Sequence, residues 1–179
     1  IERLNQEHAE KLRYFLSKAD TVPNERDRQK VVVQITQNLS SRVRNAHAFA
    51  LYMNYMGRMV FNNFHLMPPS ASVTVEDLAQ LTRDDLLVAF STSPYATETV
   101  RLVHAAYTLG ITTIAVTDAA RSPIAQSASV SICVPIIKQA RLYQMSPVIS
   151  AIEQILETCY DDPVTNADER ITDFAERVK

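Results

Sequence analysis

DDLLVAFSTSPYATETVRLVHAAYTLGITTIAVTDAARSPIAQSASVSICVP, residues Asp84 to Pro135, is the stretch that decides the fold. Two apolar runs, Leu86–Phe90 (LLVAF) and Ile111–Val116 (ITTIAV), show no polar alternation, as befits parallel strands covered on both faces. Between them Val100, Val103, His104 and Tyr107 recur at helical spacing, and Gly110 stands where a helix end needs a residue tolerant of positive φ. A second short helix and a third strand, ending at Cys133-Val134-Pro135, follow. The pattern is strand, loop, helix, strand, loop, short helix, strand. The loop after the first of these strands carries Ser91, Thr92 and Ser93, and Thr97 and Thr99 follow at the helix start. In an open parallel sheet, ligands bind at the carboxyl ends of the strands, where helix N-termini favour anions.

Outward from this segment the same alternation continues. Lys30–Ile35 (KVVVQI) reads as a first strand by its β-branched content, followed by the loop Thr36–Ser41. Arg42–Met56 reads as a helix closed by Gly57, and Arg58–Phe61 (RMVF) as a short second strand. After a loop carrying Pro68-Pro69, Thr74 caps a short helix with Asp77 in its first turn. Ser146-Pro147 opens a long helix through about Tyr160, Asp161-Asp162-Pro163 breaks it, and Asp168–Val178 is amphipathic. Ile1 to Ala19 is an amphipathic helix, joined to the rest by a polar linker, so residues 1–28 stand apart from a domain of residues 29–179. Each of Ser93-Pro94, Ser122-Pro123 and Ser146-Pro147 falls where a helix is expected to start, with serine as N-cap and proline at the first helical position.

The 179 residues suffice for one substantial core. A net charge of −2 leaves no electrostatic footprint for nucleic acid. Two cysteines, Cys133 and Cys159, make no disulfide framework and fit a reducing cytoplasm. No apolar run reaches the ~18–20 residues that span a bilayer, so no membrane partner is expected. No Cys/His/Asp cluster has metal spacing, and no metal or cofactor is expected. The chain begins at Ile1 and not at Met, so it reads as a fragment from which an amino-terminal domain could be missing. There are only two glycines, Gly57 and Gly110, and neither lies in a phosphate-binding position. An anion site here has to rely on hydroxyls, helix N-termini and arginine.

The central stretch resembles the SIS (sugar isomerase) domain, specifically the effector-binding half of RpiR-type bacterial transcription regulators. Members of that family carry S-x-S-G-x-T-x-E-T after a strand, then T-D, S-P-L-A and a final V-P. Here the matching residues are Ser91 to Thr99, Thr117-Asp118, Ser122-Pro123-Ile124-Ala125 and Val134-Pro135. The family's glycine is Pro94 and its threonine is Ala96. Pro94 removes a backbone donor and Ala96 a hydroxyl, and Thr97 stands one place from the family position.

The resemblance implies an α/β fold with a five-stranded parallel sheet, a flavodoxin-like or Rossmann-like three-layer sandwich, and a phosphorylated sugar or related anionic metabolite as ligand. Carried over by position, Ser91, Ser93 and Thr97 belong to the ligand loop, with Ser40 or Ser41 from the loop after the first strand. Arg42 and Arg44 stand ready either as phosphate contacts or as solvated helix arginines. Glu98 matches the family's glutamate; in isomerases of the superfamily a carboxylate or histidine moves a proton next to a sugar carbonyl, and as a first-turn residue Glu98 also stabilises its helix dipole. Asp118 ends a strand, either to accept from a sugar hydroxyl or to form a turn. The expected function is a sugar-phosphate-sensing regulatory domain and not an enzyme. It is expected to be cytoplasmic and a homodimer or homotetramer, reaching DNA only through an attached amino-terminal helix-turn-helix domain. The apolar residues Tyr52, Met53, Tyr55 and Met56 are offered for self-association. The alternatives are a sugar-phosphate isomerase and a degenerate SIS domain kept for oligomerisation.

Overall fold

The computed structural model describes residues 31–33, 45–67, 78–79, 81–139, 142–160 and 167–177. The helix read at 1–19, the linker behind it, the loop 36–41, Arg42, Arg44 and the cap at Thr74 lie outside the described residues. Five strands form one sheet: β1 (Val31–Val33), β2 (Phe64–Leu66), β3 (Leu86–Phe90), β4 (Thr112–Thr117) and β5 (Val130–Cys133), in the order β2-β1-β3-β4-β5. Every neighbouring pair is parallel. The register sets Leu86 beside Thr112, Phe90 beside Val116, and Thr117 beside Cys133. The order reverses between β1 and β3, the kind of point at which doubly wound sheets open a crevice.

Helices cover both faces, which explains why β3 is apolar without alternation: all five of its residues are buried. Leu86, Val88 and Phe90 point to one face, with Ile114, Val116 and Val130, and meet α1 (Asn45–Arg58) and α4 (Ser146–Tyr160). Leu87 and Ala89 point to the other, under α2 (Thr97–Thr108) and α3 (Pro123–Ser127). In α4, Val148, Ala151, Ile152, Ile155, Leu156 and Cys159 are buried at helical spacing. The terminal α5 (Ala167–Arg177) adds Ala167 and Ile171 to the same core, and its Arg170 Nη1 donates to the Val60 carbonyl at 2.8 Å.

α2 ends as its sequence requires. Gly110 has φ +78°, the Ile111 N–H bonds the Ala106 carbonyl at 3.0 Å and the Gly110 N–H bonds the Tyr107 carbonyl at 3.0 Å. This is a Schellman cap, and Ala106 and Ile111 pack in one cluster as such caps favour.

Three sequence expectations are corrected. The second strand lies at Phe64–Leu66 and not at Arg58–Phe61, because α1 runs on through Arg58. The apolar residues Val60 and Phe61 are buried in the turn after the helix. Gly57 does not stop the helix; it sits inside it, and a Cβ there would stand 2.4 Å from a ring carbon of Phe64. Its absence of a side chain serves close packing of strand β2 on the helix. Lastly, Ser93 is not an N-cap. The Ser93–Pro94 peptide is cis, the N-cap of α2 is Ala96, and no side chain caps that residue's helix. By contrast Ser122 does cap α3, its Oγ accepting from the Ala125 N–H at 3.2 Å with proline next in sequence. Between β5 and α4 the chain also forms an antiparallel ribbon, β6 (Ile137–Gln139) with β7 (Leu142–Gln144), which no turn signal in the sequence announced.

Candidate functional site

The candidate site lies at the carboxyl ends of β3, β4 and β5. The β3–β4 ladder extends one residue beyond the strand, the Ser91 N–H bonding the Val116 carbonyl at 3.1 Å. The β4–β5 ladder does likewise, the Val134 N–H bonding the Thr117 carbonyl at 2.7 Å. Ser91 and Asp118 therefore leave adjacent strands at the same level, although 27 positions separate them in the chain.

Ser91 is buried, and its Oγ accepts from the Ala96 N–H at 3.4 Å, closing the loop Ser91–Ala96 on itself. The accepting hydroxyl retains a proton to donate. The Ser93 N–H donates to Asp118 Oδ2 at 3.2 Å. Thr117 Oγ1 donates to Asp118 Oδ1 at 3.3 Å. Burial first, then the neighbouring Asp118 carboxylate, and last the nearby Cys133, hold the Tyr95 phenol above its ordinary pKa. Cys133 is exposed at the end of β5.

Beside this polar cluster is a cleft between the sheet edge and the starts of α1 and α4. It is lined by Ala46 and Phe49 of α1, Phe90, Ser91 and Thr92, Val116 and Thr117, and Val148 of α4. Its free volume is about 10 Å³, at the lower limit of what holds a single water. Ser91, Thr92 and Thr117 are the polar residues of an otherwise apolar lining.

Of the sequence-derived site residues, the structure brings together Ser91, Ser93 and Asp118. Thr97 is exposed and Glu98 half-buried on the first turn of α2, directly after the loop. The first bond within that helix is from the Val100 N–H to the Ala96 carbonyl at 3.1 Å, so the Thr97 and Glu98 amides lie ahead of it. Ser93 is exposed and is not among the residues lining the cleft. Ser40 and Ser41 lie outside the described residues. Sequence reasoning missed Tyr95 as a neighbour of Asp118 and Phe49 and Val148 as walls of the cleft. No local pattern could have signalled them, since each depends on a contact between distant segments. Among the described residues, no group of three His, Cys, Asp or Glu side chains could hold a metal, and no helix is long and apolar enough to cross a membrane.

The fold has relatives among solved structures. The sugar isomerase domain of an RpiR transcription factor from Sphaerobacter thermophilus superposes with a TM-score of 0.72 at 19% identity, over 96% of this chain and 85% of that one. Vibrio vulnificus NanR, complexed with ManNAc-6P, gives 0.72 at 10% identity, over 97% of this chain and 61% of NanR. A Methanococcus jannaschii protein, whose structure was read as that of a 3-hexulose-6-phosphate isomerase, gives 0.50 at 15% identity, over 98% and 81%. No curated protein sequence matches the chain. These likenesses speak to the fold. The SIS-domain model matches residues 43–159, a span that takes in α1, strands β2 to β5, the Ser91–Thr99 loop and all but the last residue of α4. A parallel sheet covered on both faces, a hydroxyl-rich loop at its carboxyl edge and that match over most of the length agree, and the chain belongs to the SIS-domain family.

Proposed function

We propose that this chain is the ligand-sensing domain of an RpiR-type transcription regulator, that its ligand is a phosphorylated sugar or a related anionic metabolite, and that it is not an enzyme. The observation that carries the reading is the placement of the buried Ser91 hydroxyl. It stands at the carboxyl edge of β3, between a cleft and the N-terminus of α2, where an anion meets both hydroxyls and helix amides. The regulators from S. thermophilus and V. vulnificus support it, the second by its complex with a phosphosugar. Against catalysis speaks that no His, Asp or Glu is among the residues lining the cleft. His104 is exposed on α2, and neither it, His47 nor Glu98 lines the cleft.

In this reading the domain acts in the cytoplasm as a homodimer or homotetramer. Ligand binding biases the geometry of that assembly, and DNA is reached through an attached amino-terminal helix-turn-helix domain. A thermal-shift series with phosphosugars, ManNAc-6P among them, tests it. A true ligand at a hundred times its dissociation constant stabilises the fold by about 2.7 kcal/mol. Turnover of an aldose or ketose phosphate by the chain would replace this reading with an isomerase. The scaffold reading draws on two observations, that the cleft holds about 10 Å³ and that the Ser93 and Ala96 amides are engaged internally; a flat response to every phosphosugar would favour it.

A further inference from the structure

We propose that Asp118 is the resident counter-anion of the Ser91–Ala96 loop, and that its negative charge sets how strongly this site accepts phosphate. Two of the loop's main-chain donors are committed within the chain. The Ser93 N–H is held by Asp118 Oδ2 at 3.2 Å, Pro94 has no N–H, and the Ala96 N–H is held by Ser91 Oγ at 3.4 Å. Asp118 is itself fixed from a second side, by Thr117 Oγ1 at 3.3 Å. One of these donors comes from the loop and the other from Asp118's own strand. The carboxylate thus occupies the position from which a ligand's phosphate would bond the Ser93 amide.

The consequences follow from charge. A phosphate within hydrogen-bond reach of Ser93 lies beside a like charge and competes with it for the same N–H. It gains that donor only when Asp118 withdraws. Asp118 is therefore a specificity-determining residue: it weakens binding of phosphate at this end of the loop and couples binding to a movement of the Ser93–Tyr95 turn. A role as acceptor for a sugar hydroxyl makes the opposite prediction, because neutralising the carboxylate would then weaken the ligand's hold.

The proposal deepens the sensing reading and rests on it for its biological sense, but inorganic phosphate tests it separately. The experiment compares the wild-type chain with Asp118→Asn, which keeps an acceptor for Ser93 and removes the charge. Binding of inorganic phosphate, at ionic strength balanced with chloride, and of ManNAc-6P is followed by thermal shift and by the amide resonance of Ser93. The expected result is an apparent phosphate affinity at least about tenfold higher in Asp118→Asn, with the Ser93 resonance moving on titration. Tyr95→Phe, which removes a phenol near Asp118 and leaves the charge in place, is expected to show no such gain. Asp118→Ser repeats the test if the asparagine variant does not fold. Equal phosphate affinities, no phosphate binding by either neutral variant, or weaker binding in Asp118→Asn would overturn the proposal. Tighter inorganic phosphate with no response to ManNAc-6P or other phosphosugars would leave the counter-anion role standing and remove the sensing reading. Equal phosphosugar binding by wild type and variant, without a gain in inorganic phosphate affinity, would do the reverse.

Discussion

Gly57 shows how one residue can be read wrongly from its type and rightly from its neighbours. Helix propensity alone favours alanine over glycine by about 1 kcal/mol in a helix interior. At Gly57 the added Cβ would meet Phe64 Cε1 at 2.4 Å, Cδ1 at 2.5 Å and Cγ at 2.8 Å. The ring has little room to retreat, because Phe64 is 3% exposed and stacks on Phe61 with centroids 5.7 Å apart. Overpacking of this kind costs about 1–3 kcal/mol, so Gly57→Ala is expected to destabilise the fold despite the gain in propensity. Urea midpoints check the sign. In the Gly57→Ala/Phe64→Leu double variant, the loss from the alanine is expected to shrink, since the two positions are in contact. A stabilised Gly57→Ala single variant would show that the strand packs differently on α1.

Among the elements, α4 ties the two ends of the larger core cluster together. Its last residue, Tyr160, donates from its hydroxyl to the Met56 carbonyl of α1 at 2.7 Å, and its ring packs on Phe61 with centroids 5.9 Å apart. Burial, ahead of the charges of Cys159, Glu157 and Tyr52, pushes the phenol well above its ordinary pKa of 10.0. Because the folded value is the higher one, the unfolded chain releases this proton first. The contribution of Tyr160 to stability is complete below about pH 10 and is lost as pH rises beyond it. Stability is expected to fall more steeply above pH 10 in the wild type than in Tyr160→Phe, by up to one proton in the pH dependence. At neutral pH the phenylalanine variant is expected to be weaker by about 1 kcal/mol, the worth of the hydrogen bond to Met56. Urea midpoints measured from pH 8 to pH 11.5 separate the two effects; parallel curves would mean that the hydroxyl is solvated in the folded chain.

At the scale of the whole molecule, α1 has more apolar surface than its own core consumes. Met53 is buried and Tyr52 and Met56 pack partly against the core, whereas Leu51 is 49% and Tyr55 59% exposed, one helical turn apart. The chain is expected to self-associate through this face, as aromatic and large aliphatic residues at interfaces suggest. Light scattering at micromolar concentration is expected to give a mass above that of a monomer, and Leu51→Glu to lower it without a change in melting temperature; a monomeric wild type would dismiss the interface. What the residues determined by themselves was local. Unbroken apolar runs marked β3 and β4 as covered on both faces, helical spacing placed α2, and Gly110 and Ser122 marked a helix end and a helix start. Each of these depends on near neighbours in the chain, where periodicity and backbone preference act. The site was only half legible: Ser91, Ser93 and Asp118 stood out by motif, but not what each would bond. Only the pairing of β3 with β4, Phe90 beside Val116, brings Asp118 to the Ser93 amide. Likewise only the packing of α1 and α4 over the sheet sets Phe49 and Val148 around the cleft, and only β2 folding back on α1 gives Gly57 its purpose. Those contacts join residues far apart in sequence. Closing the sheet brings them together, and no local pattern of side chains encodes which distant groups will meet.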